Sequence, residues 1–468
     1  MKLATKAVAI IALATSMTSC LVTQKYEGVN VKEEQHLFRL DSLSTTGQKL
    51  EDMATVKWST FYQDPILKSY IDTALKYNYS NQIAFKNIAI FTAQFKQGKM
   101  GQLPRITLQG NGQRQKQASN SQFGSFFSEP FEQYTISGTL SWEADLWGKI
   151  NSQKLAAQAE FEKSVTAQKL LQTTLISNLA NTYFDLLAAD NRRQILTETV
   201  TLRRQSVETL KALKDAGKSN SLAVSQAEAQ LYGATIQLRN VENQVFALEN
   251  ALATLVGKAI TDIPRRQLDE QRFPEEYTSS VPVSLLSNRP DILEAELDFR
   301  KNFEQVNVAR ASMYPTIVLS AEMGLQSLSP STLFGSSSFF NTLTGGLTQP
   351  LFQKRRLKTQ KEVAIKRMEI SKLQFQEKVL NASIEVSNLL NELKTASANL
   401  EVLEQQEVAL QNSFEDSQLM LVNGLANYLD VLNAQSSLLV AQLATVDAQN
   451  QKLKLSTQIF KAIGGGVN

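Results

Sequence analysis

The sequence predicts a mainly α-helical, internally duplicated fold in which a few β-strands interrupt very long helices. Three observations predict it. Two stretches of about seventy residues, after Gly148 and after Pro350, hold neither glycine nor proline. Glycines recur at a constant offset of 207 along the chain. Apolar and polar residues alternate with period two in short segments lying between the helical ones.

The chain has 468 residues and opens on an export signal. Lys2 and Lys6 form the positive flank, Ala7 to Ala14 an apolar run, and small residues lead to Ser19. The run is too short for a permanent membrane helix. Cys20 stands at the expected cleavage point, and the segment resembles a bacterial lipoprotein signal, in which that cysteine becomes the acylated first residue. Met17 stands where leucine is usual, and Thr18-Ser19 replace the common Ala/Gly pair. A plain secretory signal with an incidental cysteine is the alternative. Acyl chains would anchor the chain in lipid without spanning it. In lipoproteins, Leu21 in place of an aspartate points to the outer membrane. No later segment is apolar for the ~18 residues a membrane helix needs, so strands would have to make any crossing. The predicted organisation is a signal peptide (1–19), an N-terminal linker after the lipidated cysteine (20–57), a first repeat of helix, β-hairpin and long helical hairpin (58–282), and a second such repeat (283–468).

Composition excludes several function classes. Lys and Arg number 48 against 45 Asp and Glu, and loss of Lys2 and Lys6 with the signal leaves 46 against 45. That balance gives no reason to expect a nucleic-acid partner. Cys20 and His36 are the single cysteine and histidine, so no intrachain disulfide can form and a thiolate or imidazole metal site has too few ligands. No phosphate, nucleotide or nucleophilic-serine motif appears. Catalytic residues, cofactors and metal are therefore expected to be absent.

The duplication is legible residue by residue. Gly138 pairs with Gly345, Gly217 with Gly424 and Gly257 with Gly464, and Leu140, Leu222, Val224 and Leu231 fall in step with Leu347, Leu429, Val431 and Leu438. Each repeat begins with a helix of moderate length, roughly 65–98 and 291–312. A pair of strands follows, then a very long helix and a second one running back. The residues between Gly148 and Gly217 would make a rod of roughly 100 Å at ~1.5 Å per residue. Leu389, Leu393, Ala396, Leu400, Leu403, Glu407, Leu410 and Phe414 step by four and three, as do Leu425, Leu429, Leu432, Ser436, Leu439, Leu443, Val446, Asn450 and Leu453. This is a narrow coiled-coil seam with polar interruptions. Gly217 and Gly424 sit where each hairpin turns back, because glycine accepts the positive φ that ends a helix. Gly217-Lys218-Ser219 is no phosphate loop: the earlier glycine is missing and a helix, not a strand, precedes it.

Four strands are predicted, at about 105–115, 133–143, 315–325 and 340–350. Tyr134, Ile136, Gly138, Leu140 and Trp142 point one way, Thr135, Ser137, Thr139, Ser141 and Glu143 the other; Ile317 to Leu325 repeat the alternation. Membrane barrels and half-buried soluble sheets share this period. Four strands cannot enclose a channel, but three chains pooling twelve could close a ring and remove the edges. The connections Ala118–Pro130 and Gln326–Ser338 would be the outward loops, with Phe123, Phe126, Phe127 and Phe334 capping the mouth or packing within the loops.

At these residues the sequence resembles the TolC-type outer-membrane factor family, in particular its efflux-system lipoprotein branch. The resemblance rests on Leu140-Ser-Trp-Glu-Ala-Asp-Leu-Trp-Gly-Lys149, Asn288-Arg-Pro-Asp-Ile292, Leu103-Pro104, Tyr314-Pro315 and Asn423-Gly-Leu-Ala-Asn-Tyr-Leu-Asp-Val-Leu-Asn-Ala-Gln435, and covers about Trp58 to Gly466. It implies a homotrimer with a 12-stranded β-barrel in outer-membrane lipid of a Gram-negative bacterium and a 12-helix α-barrel tunnel through the periplasm. Its partners would be a periplasmic adaptor protein and an inner-membrane pump, docked at the helix tips, and the function a passive exit channel of an efflux or type I-like secretion system. Trp142 and Trp147 would anchor the membrane interface. In the family, acidic residues near the end of the long helix ring a constriction. The matching residues are Asp416 and Glu415, with Asp215 and Asp430 as nearby acids at the two tips. A lipid-anchored periplasmic coiled-coil scaffold without a pore is the alternative; it leaves the strands unexplained.

Overall fold

The computed structural model describes residues 22–28, 57–122, 129–259, 262–273 and 289–465. The signal peptide, Cys20, His36, most of the linker, Asn288 and the three phenylalanines 123, 126 and 127 lie outside them.

Eight helices and four strands follow in order among these residues: α1 (Trp58–Phe61), α2 (Pro65–Tyr77), α3 (Tyr79–Met100), β1 (Arg105–Gln115), β2 (Phe131–Ala144), α4 (Lys149–Asp215), α5 (Ser221–Val256), α6 (Pro290–Ala311), β3 (Thr316–Ser327), β4 (Phe339–Thr348), α7 (Arg356–Val422) and α8 (Tyr428–Ala462). The order repeats, as the 207-residue offset requires. Two compact units form, one from Met1–Asn30, Ile88–Ser164 and Ala295–Phe375, the other from Val31–Asn87, Val165–Glu294 and Gln376–Asn468. Each takes pieces of both repeats, and the boundaries fall inside α3, α4, α6 and α7.

One expectation fails locally. The helix expected over 65–98 breaks at Asn78, which is extended (ψ 127°). Its side chain explains the break. Asn78 Oδ1 accepts from the Asn81 amide at 3.2 Å, capping α3, and Nδ2 donates to the Leu255 carbonyl at 2.9 Å. An asparagine so engaged competes with the helical hydrogen bond it interrupts.

In the first unit the strands form one antiparallel sheet in the order β1-β2-β3-β4. Register follows the period-two pattern. Leu140 pairs with Ile106 and Ala321, Trp142 with Leu319, Ile136 with Leu325, and Leu343 with Ala321. These side chains share a face, and that face is open: Leu108 is 79% exposed and Leu343 85%. Towards the connecting loops it ends in an Arg114–Glu132 ion pair at 3.6 Å. The opposite face carries Thr107, Gln109, Thr139, Ser137, Ser320, Thr342 and Thr344. Both edges, β1 and β4, have no partner strand among the described residues. An apolar, uncovered face and two open edges are a liability for an isolated sheet in water.

The second unit is built around aromatic rings. Phe61 stacks on Phe460 at 4.0 Å, and Phe184 meets Phe273 edge-on at 5.9 Å. Asp64 ties this core to the helix ends. One oxygen caps α2 at the Ile66 amide (2.7 Å); the other accepts from Tyr183 (2.8 Å) and Gln271 (2.9 Å). Along α7 the seam residues Leu389, Leu393, Ala396, Leu400 and Phe414 are buried, as are Leu432, Leu439, Val446, Asn450 and Leu453 on α8. Leu425 and Leu429, at the tip, are exposed.

Candidate functional site

The two hairpin tips in the second unit are built alike. Gly217 (φ +74°) and Gly424 (φ +72°) follow the last turn of α4 and α7. Lys218 donates back to Leu213 at 2.8 Å and Leu425 to Met420 at 2.9 Å, the 6→1 bonds that close a glycine-terminated helix. Three residues on, Asn220 caps α5 through the Ala223 amide (2.9 Å) and Asn427 caps α8 through the Asp430 amide (3.2 Å). Asn220 and Asn427 also stand 207 apart, a match that sequence reasoning passed over although the offset could have found it. The tips interlock through Val207, Leu210, Val224, Ala227 and Leu432. Tyr428 packs on the same cluster, and burial holds its hydroxyl above the usual range.

The four acidic residues singled out at the tips have different surroundings. Asp416 and Glu415 are exposed on α7, and Glu415 accepts from Gln411 at 2.6 Å. Asp215 is the exposed last residue of α4. Asp430 is already engaged: its carboxylate accepts from the Asn427 amide at 2.9 Å, completing a capping box. It is exposed like the other three.

In the first unit, the β2–α4 junction gives six of the eight residues from Trp142 to Lys149 a task. Trp142 donates to the Gln102 carbonyl (2.8 Å) and Trp147 to the Pro315 carbonyl (2.7 Å), with the Trp147 ring 5.1 Å from Tyr314. Both indole N–H groups are thus satisfied by backbone, not by water as interface anchoring alone would have it. Asp145 accepts from the Ile150 and Asn151 amides (3.0 and 2.8 Å), supplying the acceptors that a helix start lacks. Glu143 pairs with Lys149 at 2.6 Å. Gly148 takes φ +73°, and a Cβ there would lie 2.9 Å from Thr23 Oγ1. The equivalent position 207 residues on is Arg355, which holds φ +66° without being glycine.

Residues 22–28 are strapped to α6. The Gln24 amide donates to Asn307 Oδ1 (3.0 Å), Asn307 Nδ2 donates back to the Gln24 carbonyl (2.8 Å), and Tyr26 lies edge-on to Phe299 and Phe303. Beside Asn307, Glu304 is buried, and burial raises its carboxyl above the usual range. No sequence signal marks these partners, because polar residues on a helix read as solvated. The second repeat opens on a buried cation: Arg289 donates to Asp291 (3.0 Å), Glu385 (2.7 Å) and the Ala462 carbonyl (2.8 Å). Among the described residues there is no group of three metal-ligating side chains, and no helix long and apolar enough to cross a membrane.

A sheet with one apolar, uncovered face and, in the same chain, long capped helical hairpins are the two features expected of an outer-membrane protein with a helical extension. The family model described as outer membrane efflux protein matches residues 71–258 and 281–465, and the chain belongs to that family. It is 28% identical over 416 residues to the solvent efflux pump outer membrane protein SrpC of Pseudomonas putida, covering 88% of each chain. It is 23% identical over 462 residues to the cation efflux system protein CusC of Escherichia coli, covering 97% of each. The open state of the Neisseria gonorrhoeae MtrE outer membrane channel superposes with a TM-score of 0.84 at 26% identity, over 96% of this chain and 99% of that one. The family is one of transport channels and not of enzymes. The protein is an outer-membrane exit channel for efflux, and the poreless scaffold is set aside.

Proposed function

We propose that three copies of this chain pool their sheets into one twelve-stranded barrel and their long helices into a periplasmic tunnel, opened at the hairpin tips by a periplasmic adaptor and an inner-membrane pump. The observation that carries this reading is the sheet itself. One face is apolar and uncovered, the other polar, and both edges lack a partner. Closing β4 of one chain onto β1 of the next would satisfy the edges, put the apolar face in lipid and leave the polar face wet. In this reading the organisation is signal (1–19), linker (20–57) and two repeats (58–282 and 283–468).

Asp416 and Glu415 form the acidic ring of the aperture, with Asp215 a secondary contributor, and Gly217 and Gly424 shape the surfaces that partners grip. Cys20 carries the lipid anchor. Support comes from the strap: Thr23 abuts Gly148 at the start of α4, close to the end of β2. Three extended residues reach only ~10 Å, a span compatible with acyl chains on Cys20 entering lipid near the strand ends. Electron microscopy of detergent-extracted protein tests the assembly: a threefold hollow particle with a barrel at one end is expected, and a solid rod or a monomer would overturn it. Mass spectrometry of the mature N-terminus tests the anchor.

A further inference from the structure

On the polar face of the sheet, one carboxylate stands apart. Glu322 lies mid-strand in β3, between Thr139 of β2 and Thr342 of β4, with Thr107 completing the row. Ser137 donates to its Oε1 at 2.6 Å, and Gln109 reaches the same oxygen at 3.5 Å. Elsewhere on this face the ionisable side chains are at the strand ends that adjoin the helices. Arg105 begins β1, and Glu143, near the end of β2, is neutralised by Lys149. The rest of this face carries hydroxyls, amides and glycines, with the apolar side chains of Phe131, Val318 and Phe340.

We infer that Glu322 makes the middle of the barrel lumen a cation-preferring zone, a second charge filter remote from the tips. The inference rests on the barrel reading above. Twelve strands ~4.8 Å apart, tilted by ~40°, give a backbone radius of about 12 Å. A glutamate pinned against the wall and pointing inward brings its carboxylate to about 8 Å from the axis, which matches the Debye length of ~8 Å at physiological salt. Three symmetry-related carboxylates therefore act across the whole lumen instead of only at its wall. Neutral hydroxyl neighbours do not cancel them, and the hydrogen bond from Ser137 fixes where the charge sits.

The test uses full-length protein in intact cells and reads the local potential from outside, so the state of the aperture does not enter. Thr342→Cys places a thiol in the Glu322 row on the lumen face, and Leu343→Cys places one on the lipid face; the wild type is the blank. Membrane-impermeant thiol reagents, one cationic and one anionic, are added externally. The Thr342→Cys thiol is expected to react and the Leu343→Cys thiol to stay silent, because a thiol in lipid does not ionise. The cationic reagent should be the faster at Thr342→Cys. Adding Glu322→Gln should lower the cationic-to-anionic rate ratio by about twofold or more, and less so in high salt. An unchanged ratio with Thr342→Cys still reactive overturns the inference and leaves the barrel standing. A reactive Leu343→Cys with a silent Thr342→Cys overturns the barrel reading and the inference with it.

Discussion

Three glycines with nearly the same backbone torsion offer a comparison inside one molecule. Gly217, Gly424 and Gly257 have φ of +74°, +72° and +78°. A Cβ on Gly217 or Gly424 meets nothing within 4 Å, whereas one on Gly257 would lie 2.5 Å from the Tyr77 carbonyl oxygen, 2.8 Å from its carbon and 2.9 Å from the Asn78 Cα. Alanine at either tip therefore incurs only the left-handed penalty, ~1–2 kcal/mol. At Gly257 the obstruction is backbone, which cannot rotate aside, and an overpacking cost of ~1–3 kcal/mol is added. The total for Gly257→Ala is about 2–5 kcal/mol. Membrane oligomers unfold irreversibly, so the fitting assay is the temperature of half-dissociation of the purified oligomer at a fixed heating rate, read on a gel. Gly257→Ala should lower that temperature by clearly more than Gly217→Ala or Gly424→Ala. Equal shifts in the three variants would refute the steric argument and leave torsion alone as the cause.

Other perturbations follow from the same geometry. Arg289→Met leaves Asp291 and the Ala462 carbonyl without their buried cation and should cost about 3–5 kcal/mol in the same assay. Burial pushes Asp291 up, but the Arg289 hydrogen bonds and charge outweigh it and hold the carboxyl below its usual range. That contribution is complete above about pH 4 and is lost as pH falls through the lower folded value. The wild type should therefore lose heat stability on acidification in a range where Arg289→Met changes little. Arg355→Gly relieves ~1–2 kcal/mol of left-handed strain and gives up the exposed Glu362 ion pair, worth ~0–1 kcal/mol; its dissociation temperature should stay level or rise, and a marked fall would contradict the strain. Asp416→Ala with Glu415→Ala should raise single-channel conductance and antibiotic leakage by about twofold or more if three copies ring an aperture; unchanged permeability would move the constriction elsewhere.

Much of this fold is legible because its periods are long and undisturbed. Strand register could be read from Ile136, Leu140 and Trp142 against Leu319 and Leu325, since a slip by one residue would exchange the faces. The helix limits near Gly148, Gly217 and Gly424 were readable because only glycine takes that torsion cheaply. The break at Asn78 was not, because its cause is the Leu255 carbonyl, 177 residues away in sequence. That Asp430, an exposed tip acid, also closes a capping box is a geometric fact with little composition signal of its own. The strap of Thr23, Gln24 and Tyr26 on α6 depends on pairings that no periodicity encodes. Arg355 was hidden for the opposite reason: its sequence reads as an ordinary helix start, and its left-handed torsion shows only in coordinates.

Gly148 and Arg355 share a place in the two repeats but not a fate. Residues 22–28 come to rest against one of two otherwise matching corners. Thr23 fills the space that a side chain at 148 would need, whereas the Arg355 side chain reaches out to Glu362. The duplication is therefore not symmetrical at this place. One corner is held to glycine by the Thr23 side chain; the other exchanges conformational ease for a positive charge.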